Sequence, residues 1–343
     1  MKRSDRIIFT YFLFVFRKRK YDAFCEDQGL EPSSVPPVCG TRFRNNVKLS
    51  VWAEKDDRCL YTFCTKLKDD IKSGIHKDIT DTEGTILGEY LSNYVCFRLS
   101  NMFTIDVSKP ALDLINYFES AEPRIYERWE QLKDFFHDLL QKFMKNAGNF
   151  KETPMKNLLD LDFSDRSLQL GNKEIYLGGQ VEAFLRRLGL TRESMEISSW
   201  LDRVREFYVE ALEKAAKYFK PSLLSKTLRY MDIANPASFV EYELDDLKKR
   251  YRYVAERFPN IIPQNQIPNL LDQVASVTAQ DKITEAAPVM NAEEFFHKLS
   301  TFNEGRYGLV GRLVKALLTI HNSSSQAERD FSIQVCVFKK IYN

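Results

Sequence analysis

The chain has 343 residues, 44% hydrophobic and 29% charged, with only 13 glycines and 12 prolines. That profile excludes a disordered chain, leaves room for about two domains, and with so few turn-formers favours long helices over many short strands. The formal net charge is +2, but residues 1–20 hold seven Lys and Arg against the single acid Asp5, so the remainder is net acidic and is no basic nucleic-acid platform.

In "RIIFTYFLFVFRKRK" the apolar run from Ile7 to Phe16 is ten residues, about half of what a membrane span needs. RKRK follows it, where a signal peptide would carry small residues. The segment reads as a buried helix or strand with a basic edge; RKRK also fits a nuclear-import patch, and no membrane partner is expected. Residues 1–40 close with the Pro/Ser-rich "GLEPSSVPPVCG" as an N-terminal segment. The six cysteines, at 25, 39, 59, 64, 96 and 336, form no CxxC pair, and the four histidines lie far apart. A zinc finger is not expected, and the thiols read as reduced in an intracellular protein.

Helical periodicity dominates residues 41–275. From "EPRIYERW", where Pro123 suits a first turn, Ile125, Trp129, Leu132, Phe136, Leu139 and Phe143 make one stripe. Trp200, Val204, Phe207, Ala211, Ala215 and Tyr218 make a second, and Val240, Leu244, Leu247, Tyr251, Val254 and Phe258 a third. Each predicts a bundle core. Trp129 and Trp200 therefore read as buried, although an aromatic ring in such a position can stack on a base. His137 reads as a helix-surface residue. "LQLGNKEIYLGG" at 168–179 predicts a short hairpin turning at Gly171-Asn172. "PNIIPQNQIPNLL" at 259–271 reads as a connector and 276–290 as a loop.

A last unit spans residues 291–343. "NAEEFFHKL" predicts a helix docking Phe295 and Phe296, and "YGLVGRLVKALLTI" another whose apolar face holds Leu309, Val310, Leu313, Val314, Leu317 and Leu318. Arg306, Arg312 and Lys315 stay outside that face. So many aliphatics predict either a core or a subunit interface. Beyond it, Ser325-x-x-Glu328 has the spacing of a capping box, opening a helix with Phe331, Val335 and Phe338 on one stripe.

The stretch "RLVKALLTIHNSSSQAERDFS" resembles the C-terminal signature of hAT-superfamily transposases: an apolar helix, a Ser-rich turn, then Glu-Arg-x-Phe-Ser at Glu328, Arg329, Phe331 and Ser332. "GTRFRNNVKLSVW" is similar to that family's Thr-Arg-Trp element, with Phe43 in place of the tryptophan. "LLDLDFSDRSLQLGNKEIYLGG" and "FYVEALEKAAKYFKPSLLSKTLRYMDI" resemble middle elements, in the right order. The resemblance covers residues 20–343.

It implies a mainly α chain: a helical insertion domain plus the C-terminal part of an incomplete RNase H-like fold, with residues 291–343 as a truncated dimerisation region. In active members three acids hold two divalent ions about 4 Å apart for phosphodiester chemistry. Glu328 matches the third of these acids. The first two precede the Thr-Arg-Trp element, where nothing here resembles their strands; Asp5 and Asp22 follow no β-branched run. One carboxylate cannot position two metals, so the expectation is a non-catalytic transposase derivative without cofactor or resident metal. It would act in assembly through Leu309, Leu313, Val314, Leu317, Leu318 and Phe331, in the nucleus. The expected partners are a second copy or a related hAT-type transposase, with salt-sensitive DNA contact through Arg and Lys of the insertion and residues 17–20. Two alternatives stand beside it: a decayed transposon fragment without a selected role, and a subunit donating Glu328 to a composite metal-dependent nuclease.

Overall fold

The computed structural model describes residues 18–31, 36, 43–75, 81–120, 124–145 and 150–320. Among them are sixteen α-helices and four 3-10 turns, with no β-strand. The architecture is therefore mainly α. No helix among the described residues is long and apolar enough to cross a membrane.

Three apolar clusters follow one another along the chain. The first joins α1 (Lys18–Asp27), α2 (Phe43–Lys55), α3 (Asp57–Lys72) and α4 (Asp81–Ser92) around Tyr21, Trp52, Phe63 and Leu67, with Tyr21 edge-on to Phe63 at 5.4 Å. The second is built on α5 (Tyr94–Glu119), α6 (Arg128–Phe143), α7 (Met155–Leu159), α8 (Gly179–Arg187) and α9 (Met195–Leu223). At its centre Phe103 meets Trp200, Phe207 and Tyr208 edge-on, the favoured geometry for rings of opposite edge and face charge. Trp200 is fully buried, and its indole N–H donates to Ser100 Oγ at 3.1 Å.

Arg98 on α5 ties these clusters together. Its guanidinium pairs with Glu54 at 2.8 Å and Asp57 at 2.9 Å, and it stacks on Phe184 of α8. Burial raises the Glu54 carboxyl, and Arg98 pulls it back toward its charged form.

The hairpin expected at 168–179 does not form. A single bridge joins Met144 to Gln169, and the rest is turns. The loop's carbonyls find guanidinium groups instead of a partner strand. Arg205 donates to Asn172 Oδ1, Gln169 Oε1 and the Leu170 carbonyl, and Arg192 to the carbonyls of Asn172, Lys173 and Ile175. Such charge-assisted bonds satisfy the loop's carbonyls without a ladder. Gly178 closes the loop at φ +97, where a Cβ would lie 2.3 Å from Asp106 Oδ2. That carboxylate accepts from Gln180 N in the first turn of α8.

His137, expected on a helix surface, is buried at 7% exposure. Phe135, Phe136 and His137 are all buried in succession, so α6 is covered around more than its striped face. The imidazole Nε2 has no hydrogen-bond partner among the described residues, and burial, then Lys133, hold its pKa below the ordinary 6.5. Below pH 6.5 the unfolded chain takes up a proton that the folded chain refuses, so stability falls as the pH drops from 6.5 toward the lower folded value. We expect His137→Phe to remove that part of the acid sensitivity, read as a flatter melting temperature between pH 7 and pH 5.

The third cluster contains α10 (Lys226–Tyr230), α11 (Ser238–Glu241), α12 (Leu244–Arg257), α13 (Ile267–Thr278), α14 (Asp281–Ala286), α15 (Ala292–Thr301) and α16 (Gly308–Leu318). The third sequence stripe is broken here. Tyr242 turns extended, α12 starts only at Leu244, and Val240 is left 57% exposed. The connector expected at 259–271 is partly helical, because Pro268 sits in the first turn of α13, where its missing N–H costs nothing. The loop expected at 276–290 contains α14. One continuous core runs from Tyr230 to Leu318, so α12 and α13 share it with α15 and α16 across the boundary expected between 275 and 291.

Gly311 brings α16 onto α15. A Cβ there would sit 2.5 Å from Ser300 Cβ. At the start of α16 the Gln273 side-chain oxygen accepts from the amides of Leu309 and Val310, filling the place of an N-cap. Asn291 caps α15 by accepting from Glu294 N at 2.8 Å.

Candidate nucleic-acid interface

Where α6, α10 and α12 meet, cations lie over aromatic rings. Trp129 on α6 is partly buried, and its indole N–H donates to the Leu223 carbonyl at 3.0 Å, which fixes the ring plane. Lys133 Nζ lies 5.0 Å from its centroid and the Arg229 guanidinium 5.2 Å. On the neighbouring helices Tyr230 and Tyr253 meet edge-on at 5.3 Å. Lys226 lies 4.4 Å from the Tyr253 centroid and Arg257 5.2 Å. Each pair is a cation–π contact of about 0.5–1 kcal/mol at an exposed site.

The charges are unevenly compensated. Lys133 pairs with Glu130. Lys226, Arg229 and Arg257 are exposed, and none has a carboxylate within ion-pair distance among the described residues. Tyr253 registers this surplus: a hydrogen bond with Thr227, then the neighbouring cations, lower its phenol pKa. The spacing arises because Ser225 caps α10 through Leu228 N, starting a short helix that sets Lys226 and Arg229 one turn apart.

Behind this face Arg250 is a contrast. It is 7% exposed, pairs with Asp232 and Asp246, and stacks on Tyr242 at 3.9 Å and Tyr230 at 4.9 Å. Its charge is spent inside the chain, pinning the 3-10 turn Met231–Ala234 to α12.

The residues expected to carry function fall elsewhere. Glu328 and Phe331 lie outside the described residues. Leu313, Val314 and Leu317 have no exposed surface, Leu318 is 6% exposed, and Leu309 is partly buried against the same cluster. The chain's own α13 and α15 cover the apolar face of α16. Of the two tryptophans considered for stacking, Trp200 is sealed in the core and Trp129 reaches the surface. Helical periodicity does not mark Lys226, Arg229, Tyr253 and Arg257. The available signal was the alternation of basic and aromatic residues in "KTLRY" and "RYRY". No group of three or more His, Cys, Asp or Glu among the described residues is arranged to hold a metal ion.

Comparison of the chain with protein-family models, with curated proteins and with solved structures finds no match in any of the three.

Proposed function

We propose that the chain is a non-catalytic derivative of an hAT-type transposase that contacts nucleic-acid backbone through Lys133, Lys226, Arg229 and Arg257. The observation that carries this reading is the set of three exposed, unpaired cations over Trp129 and Tyr253. Positive side chains bind phosphates by releasing condensed counterions, without choosing a sequence. The resemblance at Thr41-Arg42-Phe43 and at Ser323 to Ser332 supports the lineage. It makes residues 41–275 a remnant of the RNase H-like core with its helical insertion, α15 and α16 part of the truncated dimerisation region, and the nucleus the place of action. Assembly with a second copy or a related transposase belongs to the same reading. Its contacts would come from residues 321–343 or another face, because α16 is covered by its own chain.

Fluorescence anisotropy with labelled single-stranded and duplex DNA tests the proposal. The triple variant Lys226→Ala/Arg229→Ala/Arg257→Ala should bind at least about tenfold more weakly at low salt. Its plot of log affinity against log salt should be shallower by about two to three units, at 0.7–0.9 per lost phosphate contact. It should stay folded, with a melting temperature lowered by several degrees as three exposed cation–π contacts of about 0.5–1 kcal/mol each are lost. Equal affinity and an equal slope for the two proteins would reject the interface.

A further inference from the structure

In the first cluster two thiols from different helices face each other. Cys25 on α1 and Cys59 on α3, separated by 34 positions in sequence, place their sulfurs 3.2 Å apart. Both are free thiols; Cys25 is buried and Cys59 is partly exposed. They share the wall of a surface cleft of about 470 Å³ with Tyr21, Gln28, Asp56 and Arg58. Cys64, one turn beyond Cys59 on the same helix, is fully buried and does not line the cleft. Nothing in the nucleic-acid face uses this pair.

Two sulfurs at this distance need only about 1 Å of approach to reach an S–S bond of about 2.05 Å. The cleft admits a small oxidant to Cys59. We propose that Cys25 and Cys59 are a reversible redox site, oxidised by a hydroperoxide to a disulfide that locks α1 onto α3.

The order of events follows from exposure. The Cys59 sulfur, as thiolate, attacks one peroxide oxygen. The O–O bond breaks, the attacked terminal oxygen stays on sulfur as a hydroxyl, the hydroxide or alkoxide that leaves takes up the thiol's proton as water or an alcohol, and Cys59 becomes a sulfenic acid. The Cys25 sulfur then attacks the Cys59 sulfur and gives up its proton. The S–O bond breaks, and that proton leaves with the hydroxyl as water. In total two thiols and one hydroperoxide molecule give one disulfide and two hydroxylic products, with two electrons passing from sulfur to peroxide oxygen. Burial, then the hydrogen bond with Cys59, push the Cys25 thiol up to about 12, so it serves as the resolving group rather than the first to react. Closing so long a loop restricts the unfolded chain and raises stability.

The test uses the full chain with stoichiometric hydrogen peroxide, alkylation of the remaining thiols, and peptide mass mapping. Digestion after Glu26 separates Cys25 from Cys39, and fragmentation distinguishes Cys59 from Cys64. We expect a Cys25–Cys59 linked peptide as the main product, lost on treatment with dithiothreitol. Oxidation should raise the melting temperature of the wild type by at least about 3 °C and leave that of Cys59→Ala unmoved. In Cys25→Ser, dimedone should trap the Cys59 sulfenic acid that can no longer resolve. A wild type that accumulates sulfenic or sulfinic acid at Cys59 without the linked peptide overturns the proposal. So does a disulfide from Cys59 to Cys39 or Cys64, or the absence of any oxidation at either position.

Discussion

Leu313→Glu combined with Leu317→Glu is expected to unfold the C-terminal third of the described chain, not to release a folded monomer. Both leucines have no exposed surface, on a helix that Gly311 draws hard against α15. Burying a leucine contributes about 1.5–3 kcal/mol, so the pair removes several kcal/mol before the charges are considered. Two carboxylates placed inside an apolar core add a desolvation penalty of comparable size or more. The sum approaches the whole stability of an ordinary domain, about 5–15 kcal/mol. Circular dichroism should show lost helix, and light scattering an expanded or aggregated species. Leu313→Ala should stay folded with a loss of about 2–5 kcal/mol, set by how far the surrounding core relaxes into the space. A wild-type dimer that the double variant converts to a folded monomer would place the same leucines in a subunit seam.

Arg250→Ala is expected to cost about 3–5 kcal/mol, the usual result of removing one member of a buried charge pair. The loss has two parts. The guanidinium no longer stacks on Tyr230 and Tyr242, and Asp232 keeps its hydrogen bond from Tyr242 and the more distant charge of Arg229 but loses its paired cation. Burial already raises the Asp232 pKa, while Tyr242 and then Arg250 oppose that rise. Without the arginine the carboxyl rises further. A carboxyl raised on folding favours the folded state below its unfolded pKa, and that benefit is lost as the pH climbs through the folded value. The variant should therefore be most destabilised at neutral pH and recover part of its stability as the pH falls toward 4. Adding Asp232→Asn should restore part of the loss at pH 7 and abolish that pH dependence. Equal losses at pH 7 and pH 4 in the single variant would mean that packing, and not the orphaned charge, carries the effect.

Several elements were legible from residue order. The stripe from Trp200 to Ala215 is a buried helix face, and Phe295 and Phe296 dock inward as their spacing requires. The cap at Asn291 is likewise a local matter. The errors share one cause. "LQLGNKEIYLGG" has the alternation of a hairpin, but Arg192 and Arg205, 20 and 33 positions beyond Asn172, satisfy its carbonyls without a second strand. His137 looked exposed because periodicity marks only one face of a helix, and it cannot report that neighbouring segments cover another.

The sequence by itself determined the helical class, the positions of α6, α9, α12, α15 and α16 and which of their residues seek burial. These depend on turn-by-turn geometry and on capping chemistry within a few residues. Only the tertiary structure decided what covers the apolar face of α16, that Lys226, Arg229 and Arg257 converge on Trp129 and Tyr253, and that Cys25 meets Cys59. A hydrophobic stripe specifies a need for cover without specifying the partner. The partner is chosen by the joint packing of segments distant in sequence, where close approaches such as Gly311 on Ser300 admit one arrangement and exclude others.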